Sequence, residues 1–318
     1  MPKRIAGNRR DLLVQIAKLY YEQNLSQDQI AHKCRISRSS VSNLLRLCRD
    51  QKIVEIRVHD SSSYILELQE EIQGRYKLDK VIVVPVTSDQ EATRVNVGKA
   101  AAAVLEPFLK NDLRIGITMG VTLYQVVQHI SSAALKGVEV IQLCGGLGTE
   151  NPEIDGFGLA QKLAEKLRGK YRIIQAPVIV KTASLRKMLV QEPDIAETLQ
   201  RGANVDVALF GIGSNRPEGS ALVRTGNLGR GESLALLKKG AVGTVCTLQI
   251  DGRGKIFPTS LNERIIGLTS KKLLGIPTRI GVATGAVRSD AVRAVLRGRY
   301  VTTIVIDEEI ATRVLQEK

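Results

Sequence analysis

The chain has 318 residues with 46 Lys and Arg against 32 Asp and Glu, a formal charge of +14. That length exceeds the usual compact unit of about 100–200 residues and argues for two domains, while the basic balance points to a polyanion such as nucleic acid or an acidic membrane face. The start, MetProLysArgIle, leads into Gly7, Asn8, Arg9 and Arg10 rather than an apolar run, and no stretch approaches the ~18 apolar residues of a membrane span. We therefore expect a soluble, cytoplasmic protein with no membrane partner.

Cys34, Cys48, Cys144 and Cys246 lie far apart, with no Cys-x-x-Cys and three histidines in the whole chain. Neither zinc-ligand nor disulfide-framework spacing is present, so we expect buried reduced thiols and no metal site.

Residues 1–60 hold twelve Lys and Arg against six Asp and Glu, a net +6, which leaves +8 for the remaining 258 residues. The short end is the densely basic one. Between Asp11 and Asn24, Leu12, Leu13, Ile16, Leu19 and Tyr20 recur at helical spacing and predict an amphipathic first helix. Ser26 followed by Gln29 is a capping-box signature for a short second helix, which must turn at Cys34-Arg35-Ile36.

Ser37 is the expected N-cap of a third helix. From there Val41, Leu44, Leu45 and Cys48 form an apolar face, while Arg38, Ser39, Ser42, Asn43, Arg46 and Arg49 point away from it. Small hydroxyl side chains let such a helix approach a major groove closely, arginines grip guanine edges or phosphates, and Asn43 carries the paired donor and acceptor that adenine needs. The plainer alternative is a three-helix packing module. The helical spacing together with the charge favours a helix-turn-helix that reads double-stranded DNA, with Ser37, Arg38, Ser39, Ser40, Ser42, Asn43 and Arg46 at the interface. Behind it, Ile53-Val54-Glu55-Ile56-Arg57-Val58 alternates apolar with polar as a wing strand does, placing Arg57 on backbone phosphate.

Asp60-Ser61-Ser62-Ser63 marks a composition break. Tyr64 to Tyr76 then puts Ile65, Leu68 and Ile72 on one helical face, a stripe that pairs with a partner chain's copy or packs on the following domain. The division expected is residues 1–60 for DNA binding, 61–78 for a linker helix and 79–318 for a larger domain.

From Val81 onward short β-rich runs, 81–86, 115–118, 138–143, 205–210, 279–283 and 301–306, alternate with helical patterns. Alternation of this kind gives a mostly parallel α/β sheet covered by helices. Several runs end in glycine-rich stretches: Gly116 to Thr122, Gly145 to Gly148, Gly211 to Asn215 and Gly281 to Gly285. Taken singly, such turns need glycine only for positive φ. Their recurrence suggests one shared site beyond the strand ends, where open α/β sheets bind ligands. Thr118 and Thr122 offer hydroxyls, and the helix after them offers free N–H groups to an anion. No stretch matches the P-loop or the dinucleotide Gly-x-Gly-x-x-Gly arrangement, so no nucleotide cofactor is indicated.

With these residues in view the chain resembles the SorC family of sugar-responsive transcription regulators over nearly its full length. Ser37 to Leu45, with Ile53 to Ile56 behind, is similar to the family's reading helix and wing, with Asn43 where arginine is usual. Ile115 to Leu123 is similar to its strand-to-helix turn, with Thr118, Met119 and Val121 where serine, tryptophan and arginine are usual. Ile280 to Ala291, Ala294 to Gly298 and Ile304 to Glu308 match its C-terminal signature, with Arg288 where lysine is common, and Asp251-Gly252 fits a further segment.

The resemblance implies a winged helix-turn-helix joined to a domain like those of ribose-phosphate isomerases and glucosamine-phosphate deaminases. It also implies a homo-oligomer, dimer or tetramer, on its operator. The expected effector, a sugar, polyol or sugar phosphate, meets Thr118, Met119, Gly120, Thr122, Gly145, Gly146, Gly211, Gly213, Asp251 and Arg288. In this reading Asp251 accepts from sugar hydroxyls and Arg288 pairs with phosphate. The rival expectation is an isomerase or deaminase working through Asp155, Asp206 and Asp251. It ranks lower, because fold likeness does not carry function and no Asp-Gly-Ala-Asp-Glu run is present.

Overall fold

The computed structural model describes residues 9–23, 25–54, 61–149 and 151–316. The chain divides into two compact units, residues 1–60 and 61–318.

The first unit holds α1 (Arg9–Ala17), continued by a wider helical turn over Lys18–Glu22, then α2 (Gln27–Cys34) and α3 (Arg38–Asp50). Ile16, Leu19, Ile30, Val41 and Leu45 interlock as its core, and Leu13, Ala17 and Cys48 form a second cluster beside it. The Cys48 thiol donates to the Leu13 carbonyl at 3.2 Å.

The second unit opens with α4 (Ser61–Tyr76), β1 (Lys80–Val84), α5 (Gln90–Leu105), β2 (Arg114–Ile117), α6 (Val121–His129), β3 (Glu139–Gln142), α7 (Gly156–Leu167) and β4 (Lys170–Arg172). It continues with α8 (Ala183–Leu189), α9 (Pro193–Gly202), β5 (Val207–Ser214), α10 (Ala221–Arg224), α11 (Arg230–Lys238), β6 (Ala241–Val245) and β7 (Leu248–Asp251). It closes with α12 (Ser270–Leu274), β8 (Thr278–Ala283), α13 (Ser289–Arg297), β9 (Thr303–Asp307) and α14 (Glu308–Gln316).

Seven strands run parallel in the order β1-β9-β8-β5-β2-β3-β4. Side chains alternate between faces along each strand. Ile115, Ile117, Val140, Leu209 and Val305 meet α5, α6 and α7, and Ile141, Phe210, Ile304 and Ile306 meet α4, α9, α13 and α14. Both faces are covered, which is why these strands read as near-continuous apolar runs. Leu68 and Ile72 of α4 join the second face, so of the two packings open to that stripe, the one on its own domain is realised. No helix among the described residues is long and apolar enough to cross a membrane.

Two stretches differ from the sequence expectation. Gly211 to Ser214 is not a turn: β5 runs on through it, and Ile212, Gly213 and Ser214 pair antiparallel with β6, which in turn pairs antiparallel with β7. Gly281 likewise lies inside β8, and the turn waits for Gly285 at φ +85°. The first difference arises because the β6–β7 hairpin extends the pairing of β5 beyond the parallel sheet; Gly281 is held in β8 by its parallel neighbours Phe210 of β5 and Ile304 of β9.

Candidate functional site

In the first unit the reading helix is set by caps. The Ser26 hydroxyl accepts from the Gln29 N–H at 3.2 Å while the Gln29 carboxamide accepts from the Ser26 N–H at 2.9 Å. Arg35, at φ +53°, ends α2, and the Ser37 hydroxyl accepts from the Ser40 N–H at 3.1 Å to start α3. Ser37, Arg38, Ser39, Ser42, Asn43 and Arg46 all lie exposed, and Ser40 is half-buried beneath the Ser37 hydroxyl. Arg38 approaches Asp28 at 3.7 Å, both side chains about 70% exposed at 70% and 72%, a pairing weak enough for a phosphate to displace. Ile53 and Val54 pack on the second cluster; Arg57 and the rest of the expected wing lie outside the described residues.

In the second unit a cavity opens at the C-terminal ends of β2, β5 and β8. β2 leads to β3 on one side, and β5 pairs with β8 on the other. The crevice between β2 and β5 is therefore a topological switch point, where open α/β sheets take their ligands. Empty space out to the open mouth amounts to about 700 Å³, of which the centre of a solvent molecule reaches about 80 Å³. Thr118, Met119, Gly120, Thr122, Gly211, Gly213 and Arg288, seven residues scattered over 170 positions of sequence, line it together.

The wall gathers groups that favour negative charge. Gly120 takes φ +132°, a conformation side chains resist, to turn β2 into α6. The N–H groups of Val121, Thr122 and Leu123, at the first turn of α6, have no acceptor among the described residues. Free N–H groups at a helix start favour negative charge. The Thr122 hydroxyl sits 3.4 Å from that of Thr284, and the Thr118 hydroxyl accepts from the Gly211 N–H at 3.4 Å.

Two arginines line the cavity, Arg288 and Arg224. Burial, then the charges of Arg224 and Arg94, push the Arg288 guanidinium down to about 10, and the Asp307 carboxylate opposes that shift. Partial burial and the charge of Arg94 also lower Arg224. Arg224 and Arg288 thus disfavour each other's charge, and Arg94, itself paired with Glu91, adds to the effect from outside the cavity. Arg224 and Arg94 escaped sequence reading. Nothing local distinguishes them from solvated arginines.

Among the described residues, no Asp, Glu, Lys or His lines the cavity. Asp251, expected to accept from sugar hydroxyls, is not brought there: its carboxylate accepts from the N–H groups of Arg253 and Lys255, both at 2.9 Å, and closes the turn after β7. Gly145 is wedged where a Cβ would lie 2.5 Å from the Ala176 carbonyl. Gly146 borders a different hollow, beside Asp155. The three carboxylates of the enzyme reading are likewise apart. Asp155 caps α7 and the 148 turn through the N–H groups of Gly156 and Gly148 at 2.6 and 3.0 Å. Asp206 accepts from the Arg114 N–H at 2.8 Å, at the opposite end of the strands.

Beneath Met119 the Cys144 thiol points at the thioether sulfur, 3.5 Å away. Burial pushes the thiol of Cys144 well up and that of Cys246 to about 12. Cys48, Cys144 and Cys246 are buried and Cys34 is half-buried, all four free.

Comparison with known proteins adds independent findings. Residues 61–316 match the family model described as "Putative sugar-binding domain". The chain is 30% identical over 310 residues to the deoxyribonucleoside regulator of Bacillus subtilis, covering 97% of this chain and 98% of that protein. It is 27% identical to the transcriptional regulator LsrR of an Enterobacter species, over 98% of this chain and 94% of that one. Among solved structures, the full-length sorbitol operon regulator SorC of Klebsiella pneumoniae has the same fold, with a TM-score of 0.74 at 24% identity over 98% of this chain and 100% of that one.

Proposed function

The chain belongs to the SorC family of sugar-binding transcriptional regulators, and from that premise we propose that residues 61–318 bind a phosphorylated sugar or polyol which resets the affinity of residues 1–60 for operator DNA. The sugar-binding family model and the relatives named as regulators support a sugar-responsive DNA-binding regulator; the phosphate is our reading of the cavity. The observation that carries it is the convergence of Arg288, Arg224 and the bare first turn of α6 on a wall without a carboxylate. The Thr and Ser hydroxyls of the wall serve a sugar's own hydroxyls, and the two arginines with the bare N–H groups add a preference for phosphate, because charge-assisted bonds are about twice as strong as neutral ones.

The same wall counts against sugar-phosphate isomerisation or deamination, since general acid-base transfer needs a titrating group within reach of the sugar carbon. On the DNA side, Arg38, Ser39, Ser42, Asn43 and Arg46 form the reading surface, with Ser37 and Ser40 holding the helix start. We further propose a cytoplasmic homo-oligomer that presents two or more such helices to operator half-sites.

Thermal-shift measurements on the full chain test the effector reading. Inorganic phosphate, glycerol 3-phosphate, ribose 5-phosphate and glucose 6-phosphate are each compared with glycerol, ribose and glucose, because a molecule specific to the folded state raises stability by mass action. Stabilisation by one or more phosphorylated compounds and by none of the neutral ones is the expected result. Stabilisation by neutral sugars alone would reverse the assignment.

A further inference from the structure

The cavity wall bearing Arg288 is tied to α4 by a continuous set of hydrogen bonds that the anion site does not itself require. Thr284 and Gly285 follow β8, and Arg288 is held to them from both ends: its N–H donates to the Gly285 carbonyl at 3.0 Å and its guanidinium to the Thr284 carbonyl. Gly285 adopts φ +85°, a conformation glycine takes without strain. Its N–H donates to one oxygen of Asp307, and the other oxygen of that carboxylate accepts from the Ile310 N–H at 2.9 Å. Asp307, 1% exposed, therefore pins the Arg288 turn to the first turn of α14.

From α14 the connection passes to α4. The Thr312 hydroxyl bonds the Tyr64 hydroxyl at 3.0 Å, and the Leu315 carbonyl accepts from Arg75 at 3.3 Å. The Tyr64–Thr312 bond borders a groove of about 940 Å³ that is lined by Tyr64, Ala286, Val287, Glu308 and Thr312. Side chains do not fill that space, so α14 and the 286–288 turn have room to shift on that side. α4 starts at Ser61, the first residue of the second unit, and the chain enters it directly from residues 1–60.

We infer that Asp307 is a positioning residue for effector readout: it couples the Arg288 turn to α14, and Tyr64 passes the resulting displacement of α14 to α4 and so along the chain to the DNA-binding unit. This rests on the proposed phosphate-binding role of the cavity. An anion that draws the Arg288 guanidinium toward itself pulls on the Thr284–Gly285 turn, and a carboxylate bonded to both the turn and α14 cannot satisfy both N–H groups unless α14 follows. Two discrete arrangements of packed helices, rather than a graded deformation, are what a close-packed interior allows.

The experiment uses the full chain as wild type, Asp307→Asn and Tyr64→Phe, with a DNA site selected by the wild type from a randomised pool. Inorganic phosphate, glycerol 3-phosphate, ribose 5-phosphate and glucose 6-phosphate are added in turn at saturating concentration. Binding of each is measured by calorimetry, DNA affinity by anisotropy, and backbone exchange over residues 61–76 by hydrogen–deuterium exchange. In the wild type a bound ester is expected to change DNA affinity by about fivefold or more and to alter exchange in residues 61–76. In both variants the ester is expected to bind within about threefold of wild type while DNA affinity and exchange stay at their unliganded values.

Asp307→Asn keeps the side chain's volume but can accept at one oxygen only. Tyr64→Phe removes a single hydroxyl, so a folded, testable variant remains if the buried change does not fold. A full DNA response in Tyr64→Phe, with the same ester-induced change in exchange over residues 61–76 as in the wild type, overturns the inference and leaves the phosphate site standing. Failure of every ester and of inorganic phosphate to bind the wild type overturns the phosphate reading instead.

Discussion

Arg224 and Arg288 line one cavity that, among the described residues, no carboxylate lines, and burial together with the charge of Arg224 pushes Arg288 down to a pKa of about 10. Under the proposed phosphate-binding role, the pair favours the occupied state over the empty one. It yields opposite expectations for binding and for stability when one arginine is removed.

For binding, Arg288→Met should weaken the best phosphate ester by about 1.5–3 kcal/mol, the worth of a hydrogen bond to a charged group, or about tenfold to a hundredfold in Kd. Calorimetry on the full chain reads this directly. An unchanged Kd would falsify the placement of Arg288 in the site.

For stability the sign is reversed. An arginine titrates above about 12 in the unfolded chain and at about 10 when folded, so the unfolded state holds the proton more tightly. The protonated guanidinium therefore destabilises the empty protein at every pH below about 10, and the penalty fades as pH climbs toward the unfolded value. Arg288→Met should raise the unliganded stability at pH 7 by about 1 kcal/mol, some of the gain being lost with the bond to Thr284. Chemical denaturation at pH 7 without phosphate checks it; a loss of stability would show that the bond outweighs the charge cost.

Asn43→Ala and Arg46→Ala should each weaken the selected DNA site by about 1–3 kcal/mol while leaving binding to random DNA little changed for Asn43. Asp28→Ala should do the reverse. By freeing Arg38, whose partner stands 3.7 Å away, it should strengthen binding to all sequences and steepen the salt dependence. Equal effects of Asn43→Ala on specific and random DNA would remove it from base reading.

Ser26→Ala should cost the first unit about 1 kcal/mol, since it opens a reciprocal cap, and lower DNA binding only through loss of folded helix. Proteolysis confined to residues 1–60, with the ester-induced thermal shift of the second unit intact, is the expected pattern.

Thiol alkylation at pH 8 should reach Cys34 first and spare Cys144 and Cys246 until the second unit unfolds, because their pKa values lie well above that pH and a thiolate is the reactive form. Mass spectrometry of tryptic peptides after brief alkylation distinguishes the sites. Early labelling of Cys246 would mean that the cavity floor opens on that timescale.

The sequence by itself determined whatever is encoded within a few residues. Ser26 and Gln29 announced a cap, Ser37 announced the start of the reading helix, alternation and apolar runs placed six of the parallel strands, and the basic first sixty residues named a polyanion. Thr118 and Thr122 were legible because a turn after a strand has a local signature, whereas Arg288 was picked out by the family resemblance alone. Only the tertiary structure decided which of these meet. Asp251 looked like a ligand for hydroxyls until its carboxylate proved committed to its own turn, while Gly211 to Ser214 read as a loop until β6 arrived to pair with it. Arg224 and Arg94 carried no signal at all. Their importance comes from the crossover that sets β2 beside β5 and folds α5 and α10 toward the same strand ends, and long-range adjacency of that kind depends on strand order, which local periodicity does not contain.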